Sequence, residues 1–281
     1  MHTPPKLLLP VLAVLALSLV SPIGAAAKEP TDSDPAIATK APPVRTPPGY
    51  DISYPQCGGP FPSPFSFAIV GVNGGRVYSP NPCLGAGNGP SELAWAGRDA
   101  QLYANTGNPG PELSSYWPIG QTTPRECGTA AKPDLDTVDC AYDYGWNAAA
   151  DSYRIAVEAY ISLGWAEPGA TRTPVANAWW LDVETANSWR DDPALNVAAL
   201  QGAVDYLESV GAASVGFYSA PNMWNAITGG TDAFAAYPSW HAGARTLRGA
   251  KANCGDPSLT GGDLVMTQYF DKGFDANYLC P

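Results

Sequence analysis

Ala178-Trp179-Trp180-Leu181-Asp182-Val183-Glu184 is a strand-like run that ends in two carboxylates. Side chains alternate along a strand, so Trp180, Asp182 and Glu184 share one face. Leu181 and Val183 share the other and would pack on helices. The two carboxylate positions lie about 6–7 Å apart along such a strand. On both sides of this run the chain repeats the same style. Phe67–Val72 and Gln101–Asn105 read as strands before it, and Ser214–Tyr218, Pro238–His241 and Leu264–Tyr269 as strands after it. Between them, Asn147–Leu163 has helical spacing, with Ile155, Ala159 and Leu163 on one face. Ala194–Val210 has it too, with Leu200, Val204 and Leu207 as its stripe. Asp192 is placed as an N-cap and Pro193 as the first helical residue. Strands alternating with helices predict an α/β fold with a mostly parallel sheet. Its closed solution, at about 230 residues, is a single irregular (β/α) TIM-like barrel. The two carboxylates then face the C-terminal mouth, where such barrels hold their sites.

Gly107 to Ala141 interrupts this rhythm. It is Pro-rich, shows no period and carries Cys127 and Cys140. Long connections of this kind in a folded domain are usually functional or covalently stapled.

The chain of 281 residues is 45% hydrophobic, with nine Trp and fourteen Tyr, so it can bury a sizeable core. Its start is read as a secretory signal peptide over residues 1–27. Lys6 precedes the apolar run Leu7–Val20, Pro22 and Gly24 break it, and Ala25-Ala26-Ala27 offers a small-residue cleavage site. The run is too short for a comfortable membrane span. Residues 28–48, with six prolines, read as a flexible linker, and residues 49–281 as the barrel domain. The formal net charge is −11, and loss of Lys6 with the signal makes it one unit more negative. That surface repels nucleic acid and anionic lipid, so neither is an expected partner, whereas a neutral glycan fits. The expected protein is extracellular, monomeric and free of the membrane once the signal is removed.

Cys57, Cys83, Cys127, Cys140, Cys254 and Cys280 are an even set in an exported chain, which reads as disulfides. Nearest-neighbour pairing is the simplest of fifteen schemes. No CxxC is present and His241 is the one histidine outside the signal, so no metal or cofactor is expected. His241 reads as a packing residue. Asp134, Asp136 and Asp139 lack a calcium-loop signature and read as a solvated turn. Gly71–Gly75 lacks phosphate-loop spacing.

A D-x-E at a strand end serves equally as a structural hydrogen-bonding pair, a metal-ligand set or an acid–base pair. Paired carboxylates suit glycosidic cleavage because burial and mutual repulsion raise one pKa toward that of a general acid. Asp51 in Gly49-Tyr50-Asp51-Ile52-Ser53-Tyr54, and polar or aromatic groups at later strand ends, would furnish a carbohydrate site at the same mouth.

In chain order these segments resemble the family 25 glycoside hydrolases, which are lysozymes, and more closely their secreted glycoside-hydrolase-like relatives of undetermined function. Gly49-Tyr50-Asp51-Ile52-Ser53, Leu181-Asp182-Val183-Glu184, Gly216-Phe217-Tyr218-Ser219 with Trp224, Trp240, Gln268-Tyr269 and Asp275-Ala276-Asn277 carry the likeness. It implies an irregular β/α barrel and cleavage of the β-1,4 link after N-acetylmuramic acid in peptidoglycan. Glu184 would be the general acid. Asp182 would steady the transition state or the substrate's N-acetyl group, with Asp51 and Asp275 as supporting carboxylates. Tyr218, Trp180 and Trp240 would hold sugar rings, and Tyr54 and Gln268 would join them in binding substrate. The longer spacing from Asp51 to Asp182, which includes residues 107–141, sets the chain apart from those lysozymes. The alternative is a non-catalytic glycan-binding or cell-envelope barrel that uses the same cleft.

Overall fold

The computed structural model describes residues 46–167 and 177–281. The signal peptide at 1–27 and nearly all of the linker at 28–48 lie outside the described residues.

Eight strands close into a barrel: β1 Gly49–Ile52, β2 Ala68–Gly71, β3 Gln101–Asn105, β4 Ala178–Asp182, β5 Ser214–Ser219, β6 Ser239–Ala244, β7 Leu264–Asp271 and β8 Phe274–Leu279. Neighbours from β1 to β7 are parallel; β8 is antiparallel to both β7 and β1. The expected α/β barrel is thus the observed one, with its last strand reversed. β8 follows β7 through a hairpin in which Lys272 and Gly273 both take positive φ, at 52° and 92°, the geometry of a tight primed turn.

Five helices accompany the strands among the described residues: α1 Glu92–Ala96, α2 Val138–Ser162, α3 Pro193–Ser209, α4 Pro221–Thr228 and α5 Leu247–Asn253. Helix α3 starts as its sequence dictates: Asp192 caps it by accepting from Ala194 N, at 2.9 Å, and Pro193 opens it. Helix α2 begins nine residues before the expected Asn147, with Thr137 as its cap. Residues 140–145 are buried consecutively, because α3 covers one side and the 107–137 segment the other. A helix covered all round shows no apolar stripe, which hides its start from a periodicity reading.

Alternation on β4 sorts the core into two regions. Trp179 and Leu181 point outward into the layer formed with α2 and α3. Trp180 points inward and meets Ile69, Trp240 and Met266 in the barrel interior. The even strands β2, β4 and β6 supply three of those four side chains, the layering expected of a parallel barrel. Gly216 on β5 leaves room for the Trp180 ring; a Cβ there would lie 2.5 Å from it.

The three disulfides are Cys57–Cys83, Cys127–Cys140 and Cys254–Cys280. The second ties the 107–137 segment to the first turn of α2, and the third ties the end of α5 to the C-terminus. Asp139 meets Lys132 and Arg125, and Asp136 meets Arg190, so these carboxylates brace the segment.

Helices α2 and α3 cross at two glycines. A Cβ on Gly202 would fall 2.0 Å from Tyr142 O, and one on Gly145 1.7 Å from Ala199 O. Gly→Ala within a helix ordinarily gains about 1 kcal/mol. At this crossing the added methyl must push two backbones apart, and overpacking costs about 1–3 kcal/mol. Gly202→Ala is therefore expected to lower the thermal midpoint by a few degrees in a calorimetric scan; a higher midpoint would show that the crossing has slack.

Candidate active site

The C-terminal ends of the strands surround a cavity of about 250 Å³. Asp51, Asp182, Glu184 and Asp275 all line it, so the four carboxylates named from the sequence converge. None of them has an ion-pair partner among the described residues. The side-chain donors to Asp51 and Asp182 are amides.

Asp51 sits on β1 and is buried. Its Oδ2 accepts from Asn277 Nδ2 at 2.6 Å, and Gln268 Nε2 donates to both its oxygens at 3.1 and 3.3 Å. Burial, then the nearby charge of Asp275, push its pKa up to about 8; the two amide donors act the other way without cancelling this. Asp275 lies directly opposite on β8, in register with Asp51. It is the more exposed of the two, and desolvation raises its pKa as well.

Asp182 ends β4 and is 4% exposed. Its Oδ2 accepts from Asn105 Nδ2 at 2.5 Å, across from β3, where the register pairs the two residues. Its Oδ1 is buried without a partner. Burial, then the Glu184 charge, hold this carboxyl well above the usual range.

Glu184 lies two residues past the end of β4, a correction to the reading that put it on the strand. The chain there remains extended enough for Val183 N to bond Tyr218 O at 2.9 Å. The backbone carbonyl of Glu184 accepts from Asn187 N and from Trp189 Nε1, at 3.1 and 2.8 Å, which anchors the turn. Its carboxylate is half-buried and has no hydrogen bond within the described residues. Desolvation, then Asp275, raise its pKa.

Tyr218 and Gln268 line the wall, whereas Trp240 backs it from the interior at 1% exposure, a correction to the reading that set its ring against a sugar. Tyr218 donates to Gln268 Oε1 at 2.8 Å, so Gln268 links the Tyr218 hydroxyl to the Asp51 carboxylate. Tyr218 and Trp240 rings sit 4.4 Å apart between centroids. The Trp240 indole N–H is buried and unpartnered. Tyr54 stands at the rim, 45% exposed, between the lining residues Ser53 and Pro55.

Trp180 does not belong to the mouth. It is 5% exposed, donates to Gln101 at 2.6 Å and meets Trp240 edge-on in the layer below. The expected sugar platform is a plug: it shares the inward face with Asp182 but lies one layer deeper. His241 is buried and its Nε2 has no partner, with its pKa lowered by burial, as suits a neutral packing residue.

Asn105, Asn277, Tyr103, Ser53 and Gln56 also form the site. Asn277 stood in a quoted motif, yet its bond to Asp51 depends on β8 pairing with β1, which has no local sequence signal. Among the described residues no group of three His, Cys, Asp or Glu side chains is arranged to hold a metal ion.

Residues 170–253 match the family model described as Lysozyme-like protein 1. That span contains Asp182, Glu184, Tyr218 and Trp240. The chain is 38% identical over 63 residues to a protein of Dictyostelium discoideum described as Probable GH family 25 lysozyme 4. The match covers 22% of this chain and 29% of that protein, so the chain spans less than a third of the length of this relative. Among solved structures, the muramidase from Trichobolus zukalii is similar with a TM-score of 0.47 and 17% identity, over 83% of this chain and 93% of that one. The bacterial lysozyme from Streptomyces coelicolor is similar with a TM-score of 0.44 and 16% identity, over 85% and 94%. The likeness to family 25 lysozymes drawn from the ordered motifs is borne out by the family-model match and by the curated relative.

Proposed function

We propose that this chain is an exported glycoside hydrolase of the muramidase type, cleaving the β-1,4 link after N-acetylmuramic acid in peptidoglycan. The observation that carries this reading is the pairing of Asp182 with Glu184 in the mouth cavity, without a cation among the described residues to neutralise either. Two carboxyls that both titrate high share protons, so the pair retains one at a pH where exposed carboxylates are ionised. Glu184 is the general acid because it reaches the open cavity and no protein donor holds its ionised form. Asp182 is fixed by Asn105 and lines the same cavity, where its charge steadies the positive charge that develops on the sugar or orients its N-acetyl group. Asp51 and Asp275 shape the field behind the pair. Tyr218, half-buried and backed by the buried Trp240, offers a wall against which a sugar ring packs.

The three disulfides fit export, because such bonds persist in oxidising compartments. No helix among the described residues is long and apolar enough to cross a membrane. The acidic surface leaves a largely neutral glycan as the compatible polymer.

The direct test is release of reducing ends from purified peptidoglycan. Glu184→Gln is expected to lower the rate by about 10²–10⁴-fold while the protein still sediments with the polymer. Equal rates in the two proteins would remove Glu184 from the chemistry. Absence of hydrolysis in both, with sedimentation retained, would make the barrel a glycan binder.

Because the acid must be protonated, kcat is expected to fall on the alkaline side. A profile flat from acidic to alkaline pH contradicts the assignment.

Asp51 gives a stability prediction. Its folded pKa, about 8, lies above the ordinary 3.8, so the folded state keeps a proton that the unfolded chain releases. The resulting stabilisation is full below the ordinary value and is lost as pH rises through about 8. Thermal midpoints should decline between pH 5 and 8.5, and Asp51→Asn should flatten that slope and raise the midpoint at the alkaline end. An unchanged slope in the variant would show that Asp51 is already ionised at neutral pH.

A further inference from the structure

A second groove, of about 440 Å³, takes six of its fifteen lining residues from the segment that interrupts the barrel rhythm. Along the chain it neighbours the first cavity at two places. On one side, Glu184 lines the mouth and Ala186, Asn187 and Ser188, just after it, line the groove. On the other, Tyr54 stands between mouth residues Ser53 and Pro55, and its ring covers Gly75 of the groove, where a Cβ would lie 2.8 Å from it.

The floor of the groove is an aromatic pile. Tyr116, 55% exposed, stacks on Tyr78 with centroids 4.0 Å apart and planes 6° from parallel. Tyr78 meets Tyr144 edge-on at 5.7 Å, and Tyr144 stacks with Trp117 at 5.2 Å. Tyr78 holds this place with φ at +57°, an uncommon conformation for a bulky residue that persists where surroundings impose it. Tyr116 is thus a rigid, exposed ring backed on one side. In a chain of net charge −11, the groove has no acidic side chain in its wall among the described residues, and Arg76 is the one charged residue among them. Arg76 is exposed and has no ion-pair partner among the described residues.

We propose that this groove is a distal subsite for the same polymer, holding a further sugar that bears an acidic substituent, with its ring on Tyr116 and its carboxylate toward Arg76. The inference rests on the reading of the mouth as a glycan cleft. A flat apolar ring matches the C–H face of a pyranose, and a guanidinium in a wall free of acids selects a carboxylate. The subsite makes the protein prefer long, acid-bearing strands over short ones and over strands whose carboxylates are neutralised.

The test titrates the Glu184→Gln protein, which does not consume its ligand, with three soluble peptidoglycan fragments: a disaccharide-peptide, a longer strand with its peptides, and that longer strand with its carboxylates converted to neutral amides. Adding Tyr116→Ala is expected to lower the long-to-short affinity ratio roughly tenfold, and Tyr116→Phe to preserve it. Adding Arg76→Gln should abolish the preference for the acidic strand over its amidated form, and Arg76→Lys should keep most of it. A length ratio equal to the parent's in Tyr116→Ala overturns the subsite. Hydrolysis by the unmodified protein that is indifferent to Tyr116 likewise removes the subsite and leaves the proposed reaction standing. Binding that depends on Tyr116 and Arg76, with no hydrolysis by the unmodified protein, keeps the subsite and removes the reaction.

Discussion

The hydrogen bond from Asn277 to Asp51 joins the last strand to the first, 226 residues apart, and the site depends on that closure. Without β8 between β7 and β1, the edges of both strands would present unpaired backbone groups. With it, Gln268 on β7 and Asn277 on β8 reach the Asp51 carboxylate on β1 from its two flanks. Tyr218 on β5 is tied into the same set through Gln268. Four strands thus share one polar network, and the shape of the mouth follows from it. Reversal of β8 matters for the same reason: antiparallel pairing sets Asp275 directly across from Asp51, at the rim.

This arrangement sets function against stability. Buried carboxylates are normally matched by cations or several strong donors. Here desolvation raises all four carboxyls, a nearby like charge adds to it at Asp51, Asp182 and Glu184, and the donors to Asp51 and Asp182 are neutral amides. The barrel tolerates this because the layer beneath is densely filled. Ile69, Trp180, Trp240 and Met266 close the interior, and Gly216 opposite Trp180 lets the indole lie flat across it. That plug gives the carboxylates a low-dielectric floor, which raises their pKa values.

Much of the fold was legible because period-2 alternation and helical stripes survive in β3, β4, β5, β7 and α3, where one face packs and the other does not. It was not legible where the environment is the same all round. The first turns of α2 are buried on every side, so no stripe marks them. Strand β8 carries Asp275 and Asn277 in a short, polar stretch after a Lys-Gly turn, and only its partners make it a strand. In the site, alternation identified which side chains face inward but not their depth. It set Trp180 beside Asp182 correctly and still misplaced it, since the layer below the mouth and the mouth itself share one face. The amide partners Asn105 and Asn277 are products of strand register, which no spacing along the chain encodes.

The 107–137 segment shows how a barrel acquires a new surface without altering its closure. An insertion gains a fixed shape only when it is anchored at more than one point, because ordering each residue costs conformational entropy. Here Cys127–Cys140 holds it to α2, Asp136 meets Arg190 in the β4-to-α3 connection, and Trp117 stacks on Tyr144 of α2. Those anchors are distributed along the segment and all lead to elements that also carry the mouth. Helix α2 packs through its glycines on α3, and the β4 connection begins at Glu184. The new groove is therefore rigidly related to the carboxylates, although it shares no side chain with them. Length added to the chain between Asp51 and Asp182 becomes structure at the cleft, because the strand that ends at Asp182 receives both the helix and the loop that the segment braces.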